Sequence, residues 1–347
     1  MYVDDGELVD AADAKGEGQV VVHEVFELLG AELSTKKRIR LSPVGEFLGL
    51  EHSFQETETK DTVSFWPRQG LIDELLKILE EVRAACTPAL ASKFRGVQGF
   101  CTLGIFGQVG KAALAPFKQR QYVDVPPWTP SNSMLRAREY YLKLLEERPV
   151  RQVRLSEAAR PPIVIASDAQ VEPGRFPGGG YLLADPDSAG AGPARRGGWL
   201  EFQEPALVAL GTSMQAIADG QQPIALCEAA MLPLALFHKG GALRGRDILW
   251  YVDNTAALSA MIKGSSGNQV LDRIVGLFWI LTFRLQIRVW IEYVDSNSTW
   301  SDGVSREFAA DPFAAKFGFQ LRRMAPAIEW LRASPAELWA KSKTLVA

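Results

Sequence analysis

Apolar positions along the chain change period twice, and each change marks an expected architectural unit. In the first 55 residues Val21, Val22, Val25, Phe26, Leu28 and Leu29 recur at spacings that place them on one helix face, with Gly30 as the stop. The segment "EFLGLEHSF", bounded by Pro43 and a polar stretch, reads as a strand or hairpin arm. From Trp66 to Phe117 the period is helical. Leu71, Leu75, Leu76, Ile78, Leu79 and Val82 form one amphipathic stripe, read as plain core, and "KFRGVQGFCTLGIFG" forms a second, glycine-interrupted apolar segment. Pro126, Pro127 and Pro130 break the chain before a helix in "MLRAREYYLKLLEER", and Pro161 and Pro162 break it again. Tyr140, Tyr141 and Trp128 could stack on bases, but packing is the preferred reading.

Beyond about residue 160 the pattern becomes that of an α/β domain. "PIVIASDA" is a β-branched run ending on Asp168, and "GGGYLLAD" and "GGWLEFQ" are two further strands around a flexible-looking loop, "PDSAGAGPARRGG". "PIALCEAAMLPLALFHKGG" reads as a helix stopped by Gly240 and Gly241. "DILWYVDN" is a buried strand ending on Asp253, "NQVLDRIVGLFWILTF" a helix and "LQIRVWIEYV" a last strand, after which Asp302 closes the set.

Composition narrows the classes. At 347 residues the chain is about two domains long, at roughly 150 residues each, and 47% hydrophobic content suits a buried core. No apolar run reaches the roughly 18 residues of a membrane helix, and Asp4, Asp5 and Glu7 replace the basic start of a signal peptide. The expected location is therefore intracellular, cytoplasmic or nuclear. Cys86, Cys101 and Cys227 are too few and too scattered for a disulfide framework or a zinc site. A net charge of −3 gives no overall basic field, so any grip on a polyanion must be local.

The informative feature is the placement of the acids. Asp168 and Asp253 end apolar strands, Glu228 sits among Leu226, Cys227, Ala229 and Ala230, and Asp302 stands at a helix start. Each alone has an ordinary reading as a turn residue, an exposed helix position, an N-cap or half of a buried ion pair. Converging, they would form a pocket that only cations neutralise, suited to two Mg2+ or Mn2+ ions about 3.5–4 Å apart.

The series "IASDAQ", "GGGYLLA", "IALCEAAML", "WYVDNTAAL" and "EYVDSNSTWSDGVSR" resembles, in order and spacing, the ribonuclease H domain of retroelement polyproteins, particularly elements with tyrosine recombinases. The resemblance implies a ribonuclease H-like mixed sheet flanked by helices and metal-coordinating, catalytic roles for Asp168, Glu228, Asp253 and Asp302. It gives Asn254, Ser305 and Arg306 a supporting role, with Asn254 and Arg306 as nucleic-acid contacts. Two departures stand out: no histidine lies between residues 254 and 302, and the stretch between Asp168 and Glu228 is long, with an insertion around residues 185–221.

The front of the chain resembles a reverse transcriptase that is incomplete. "YVDD" is similar to the polymerase turn, so Tyr2, Asp4 and Asp5 would be a remnant of that site. "FELLGAELSTKK" resembles the helix and loop that follow, which makes Lys36 or Lys37 a phosphate contact, and "GEFLGLEHSF" resembles the primer-gripping hairpin. Nucleotidyl transfer needs a further carboxylate from an earlier strand, so polymerase activity is not expected from this chain alone. The implied division is a truncated palm at 1–60, a helical thumb or connection at 61–160, the ribonuclease H-like domain at 161–310 and a helical tail at 311–347. The expected activity is hydrolysis of the RNA strand of RNA/DNA hybrids, with such a hybrid as partner and no membrane. The alternatives are a non-catalytic nucleic-acid-binding remnant and an α/β interaction domain with scattered acids. The distance between the carboxylates separates the last of these from the others.

Overall fold

Two β-sheets organise the chain in the computed structural model, which describes residues 8, 12–30, 42–124, 126–156, 160–187 and 194–345. The first sheet runs in the order β1 (Val44–Phe47), β2 (Leu50–Ser53), β3 (Thr62–Pro67) and β4 (Arg151–Arg154), antiparallel throughout. Leu48 and Gly49, at φ 48° and 78°, join β1 to β2. Two positive φ values in a two-residue loop match the twist of the strands they join, so "GEFLGLEHSF" is a hairpin.

Between β3 and β4 lie the helices Gln69–Ala84, Pro88–Cys101, Ala115–Gln121 and Asn132–Glu147. Thr87 starts the second by accepting from Leu90 N at 3.1 Å, with Pro88 in the first turn, and Ser131 starts the fourth by accepting from Met134 N at 3.3 Å. Leu75, Ile78, Leu79 and Val82 are buried as the stripe predicts, whereas Leu76 is exposed. Tyr140 and Tyr141 belong to the core. Tyr140 Oη donates to Val109 O at 2.6 Å, and Tyr141 meets Phe94 edge-on.

The second sheet is the mixed α/β layer implied by the sequence. It contains β5 (Ile163–Gln170), β6 (Gly178–Asp185), β7 (Ala194–Glu201), β8 (Asp247–Val252), β9 (Arg288–Tyr293) and β10 (Gln320–Arg323), in the order β10-β7-β6-β5-β8-β9. β5, β6 and β7 form an antiparallel meander, β8 and β9 extend it in parallel from β5, and β10 lies parallel to β7 at the far edge. The helices Ile224–Leu243 and Gln269–Arg284 pack on each other over one face, and the short helix Asp302–Glu307 lies on the other against β5 and β6.

The glycine run in β6 is what allows both layers to come close. A Cβ on Gly178 or Gly180 would strike Ser305 O or Val304 on the short helix, and one on Gly179 would strike Met231 on the long helix. Successive strand residues face opposite sides, so one run of three glycines serves both faces.

Several expectations are corrected. β5 continues through Asp168 to Gln170, because both residues pair with β6 opposite Gly180 and Gly178. The long helix passes Gly240 and Gly241 and ends at Leu243; a Cβ on Gly240 would stand 3.2 Å from Leu285, so this glycine permits close packing rather than a stop. Two helices, not one, connect β8 to β9, since Thr255–Lys263 ends at Gly264 in the left-handed region before Gln269–Arg284 begins. The stretch after residue 310 contributes the strand β10 as well as helices.

The terminal helix Pro335–Lys341 ties the helical region to the second sheet. Its buried Trp339 stacks on Phe283 at 5.2 Å and meets Tyr140 edge-on at 5.6 Å. Arg284 lies 4.1 Å over the Trp339 ring and binds Glu147 at 2.5 Å. The helix Glu17–Leu28 buries no residue, and its apolar side chains Val21, Val25, Phe26 and Leu28 are exposed among the described residues. Tyr2, Asp4, Asp5, Lys36 and Lys37 lie outside the described residues.

Candidate active site

Strand register brings the first two acids together. Ala166 of β5 is level with Tyr251 of β8, so two residues further on Asp168 is level with Asp253, on adjacent strands about 4.8 Å apart. Asp253 is the first residue after β8. Asn254 then turns the chain into the helix Thr255–Lys263, its Oδ1 accepting from Ala256 N at 3.1 Å and Ala257 N at 3.0 Å. A capping side chain thus holds Asp253 at the strand end.

Glu228 arrives from the long apolar helix Ile224–Leu243. It is buried, as is Asp168, while Asp253 is half-buried. Asp168, Glu228 and Asp253 each offer one carboxylate oxygen, and these oxygens all lie within 4.8 Å of one another.

Asp302 stands apart from this trio. It begins the helix Asp302–Glu307, is 46% exposed, and accepts from Arg306 Nε at 2.9 Å. Its charge nevertheless reaches Asp168, whose carboxyl it helps to push up. The link between them is Ser305, whose hydroxyl bonds Asp168 Oδ2 and lies 2.9 Å from the Asp302 carbonyl.

The electrostatics are those of crowded, poorly solvated acids. Burial, then Asp168 and then Asp253, drives the Glu228 carboxyl well above its usual range. Burial is also the main cause of the rise at Asp168; Asp253 and Asp302 add to it, and the Ser305 hydrogen bond opposes it. Among the described residues no Lys or Arg forms an ion pair with Asp168, Glu228 or Asp253, and Glu228 Oε2 is buried without a hydrogen-bond partner. Buried carboxylates are ordinarily paired or ligated. The donor set is all oxygen, which fits hard divalent cations such as Mg2+ or Mn2+.

Two further polar residues share this environment and were not singled out in the sequence. Gln170, two positions after Asp168 and so on the same face of β5, is buried with neither amide atom partnered among the described residues. Ser301, just before Asp302, is buried with its hydroxyl likewise unpartnered. A polar residue in an otherwise apolar strand was the available signal. His238 lies elsewhere, its Nδ1 2.8 Å from Tyr181 Oη on the face covered by the long helix.

No protein-family model matches the chain, and no curated protein matches it. Several solved structures are similar to it, two of which follow. Ribonuclease H1 from the halophilic archaeon Halobacterium salinarum NRC-1 is 13% identical over 40% of this chain and 89% of its own, with a TM-score of 0.28. The foamy viral protease-reverse transcriptase in complex with RNA/DNA hybrid is 14% identical over 83% of this chain, with a TM-score of 0.32. The matched region spans 34% of that viral protein's length.

Proposed function

We propose that the chain is a divalent-cation-dependent nuclease of the ribonuclease H type, cleaving the RNA strand of RNA/DNA hybrids, and that it is part of a retroelement reverse transcriptase. The observation that carries this reading is the trio Asp168, Glu228 and Asp253, with oxygens within 4.8 Å of one another and no cationic partner among the described residues. Scattered acids, the prediction of a plain α/β interaction domain, are not what these three show. The substrate class rests on the five motif segments and their order.

Asp168, Glu228 and Asp253 would hold the ions, and Asp302 would act at the margin of the site. Bound Mg2+ would supply an activated water and neutralise charge on the leaving oxygen of the phosphodiester. The protein's own contribution is positioning. β5 and β8 fix two carboxylates in register, the Asn254 cap fixes the strand end, and Ser305 holds Asp168 against the Asp302 helix. Arg306, paired with Asp302 at 2.9 Å and with Glu172 at 3.8 Å, is half-exposed at the rim and would exchange part of this pairing for a phosphate.

The second reading, a nucleic-acid-binding remnant without catalysis, draws on the position of His238, which is bonded to Tyr181 and not with the acids. A hybrid labelled in turn on its RNA and DNA strands separates the two. The nuclease reading predicts fragments from the RNA strand only, dependent on Mg2+ or Mn2+. Retention of the hybrid with both strands intact would support the remnant.

A further inference from the structure

The other end of the second sheet holds a cavity of about 530 Å³, remote from the acids. Ile163, the first residue of β5, lines it, and Asp168 is five residues further along that strand, so the two places are about 17 Å apart. The floor is the sheet face that also carries Tyr181. Leu183 of β6 pairs with Arg196 of β7, Tyr181 pairs with Gly198, and Gly198 pairs with Arg322 of β10. Leu183, Arg196 and Arg322 therefore share one face, and the last turns of the long helix, with Lys239 and Leu243, close over it.

The charges in this cavity are unevenly matched. Its two carboxylates are already engaged: Asp185 takes both terminal nitrogens of Arg246, at 2.9 and 3.0 Å, and Asp187 takes Arg160 at 3.3 Å. Arg196 and Lys239 have no carboxylate partner among the described residues, and Arg322 beside them has none either. Arg196 and Arg322 are exposed, and Lys239 is half-buried beside them; burial, with the charges of Arg196 and Arg322, pushes the Lys239 ammonium down. Positive charge without a carboxylate partner among the described residues, gathered on a chain of net charge −3, has the chemistry to attract an anion.

We propose that Arg196, Lys239 and Arg322 form a second binding site, for a phosphate group, at the end of the sheet opposite the acid trio. A planar guanidinium on each of two adjacent strands suits bidentate phosphate contact, and the ammonium supplies a point charge from the helix above. The apolar wall of Ile163, Leu183 and Leu243 leaves room beside the phosphate for a sugar or base. The phosphate belongs either to a nucleic-acid strand running past the sheet or to a free nucleotide. The site does not depend on the nuclease reading, because it involves none of the four acids.

The test is performed on the full chain in EDTA, so that metal-dependent binding at the acids makes no contribution. Affinity for a fluorescent single-stranded oligonucleotide is measured against salt concentration for the wild type, Arg196→Ala/Lys239→Ala and a control, Lys77→Ala/Lys263→Ala. The proposal predicts at least about a tenfold loss for the first pair at low salt and a salt slope smaller by about 1.4, at ~0.7 per phosphate contact on single strands. The control stays near the wild type. Arg196→Lys/Lys239→Arg, which keeps the charges, recovers most of the binding and separates loss of charge from loss of fold. In parallel, inorganic phosphate and adenosine monophosphate are titrated in thermal melts. A shift in the wild type that the double alanine variant lacks identifies a free phosphate ligand; no shift, with the oligonucleotide effect intact, identifies the strand. Unchanged affinity and salt slope in the double alanine variant, with no phosphate shift that depends on these residues, overturns the proposal.

Discussion

Ser305 donates its hydroxyl to the buried carboxylate of Asp168, and this contact joins the helix that carries Asp302 to the central strand of the sheet. The helix can come so near only because β6 presents glycine beneath it. Gly178 faces Ser305 O, and Gly180 faces Val304 Cγ1 at what would be 2.5 Å from a Cβ.

Gly178→Ala tests that dependence. The added methyl would collide with the Ser305 carbonyl, which is backbone and can yield only if the whole helix shifts. A loss of about 1–3 kcal/mol in chemical denaturation is expected, the usual range for overpacking, together with reduced divalent-cation affinity.

Glu228→Gln should stabilise the cation-free protein near neutral pH, because the amide replaces a buried carboxyl that burial, Asp168 and Asp253 keep from ionising and that takes up a proton on folding. A rise of at least about 2 °C in melting temperature in EDTA is expected. The wild type should show the linked pH dependence. Glu228 and Asp168 both have pKa values raised by folding, so the folded state holds protons that the unfolded state releases. Stability in EDTA should therefore fall as pH rises above the ordinary carboxylate range, and Mg2+ should reverse the fall. Thermal melts from pH 5 to 8, with and without Mg2+, measure both effects.

Gln170→Leu separates function from stability. Both amide atoms of Gln170 are buried and unpartnered among the described residues, and such groups cost about 1–3 kcal/mol. The leucine variant is expected to match or exceed the wild type in denaturation while losing activity on hybrid; lower stability would show that the amide has structural partners.

Trp339→Ala should cost about 3–5 kcal/mol, the range for removing a buried aromatic. It would remove the ring on which Phe283, Tyr140 and Arg284 converge. Loosening of both the helical region and the sheet, seen as faster amide exchange in each, is the expected signature.

Much of the sheet and the acids could be read from sequence because their signals are local. β-Branched runs ending near Asp168 and Asp253, and a lone Glu228 among alanines and leucines, carry their burial in their neighbours. The extent of β5 beyond Asp168 was not legible, since pairing with Gly180 and Gly178 on another strand sets it. Gly240 and Gly241 look like a helix stop, yet the approach of Leu285 to Gly240, from far along the chain, decides how that helix packs. The role of the β6 glycines depends on a helix some 120 residues later, and no local period reports that distance. The periodicity of Glu17–Leu28 did predict a helix, but not that its apolar residues would be exposed among the described residues.

The central claim is that Asp168, Glu228 and Asp253 form a working hydrolytic centre. The most direct measurement compares the wild type with Asp253→Asn on an RNA/DNA hybrid labelled on its RNA strand, in Mg2+ and again in EDTA. The prediction is RNA cleavage by the wild type in Mg2+ alone and a loss of at least about 100-fold in Asp253→Asn, in line with removing one electrostatic contact to a transition state. A folded wild-type protein that leaves the RNA strand intact in Mg2+ and Mn2+, or an Asp253→Asn variant that cleaves at the wild-type rate, would contradict it.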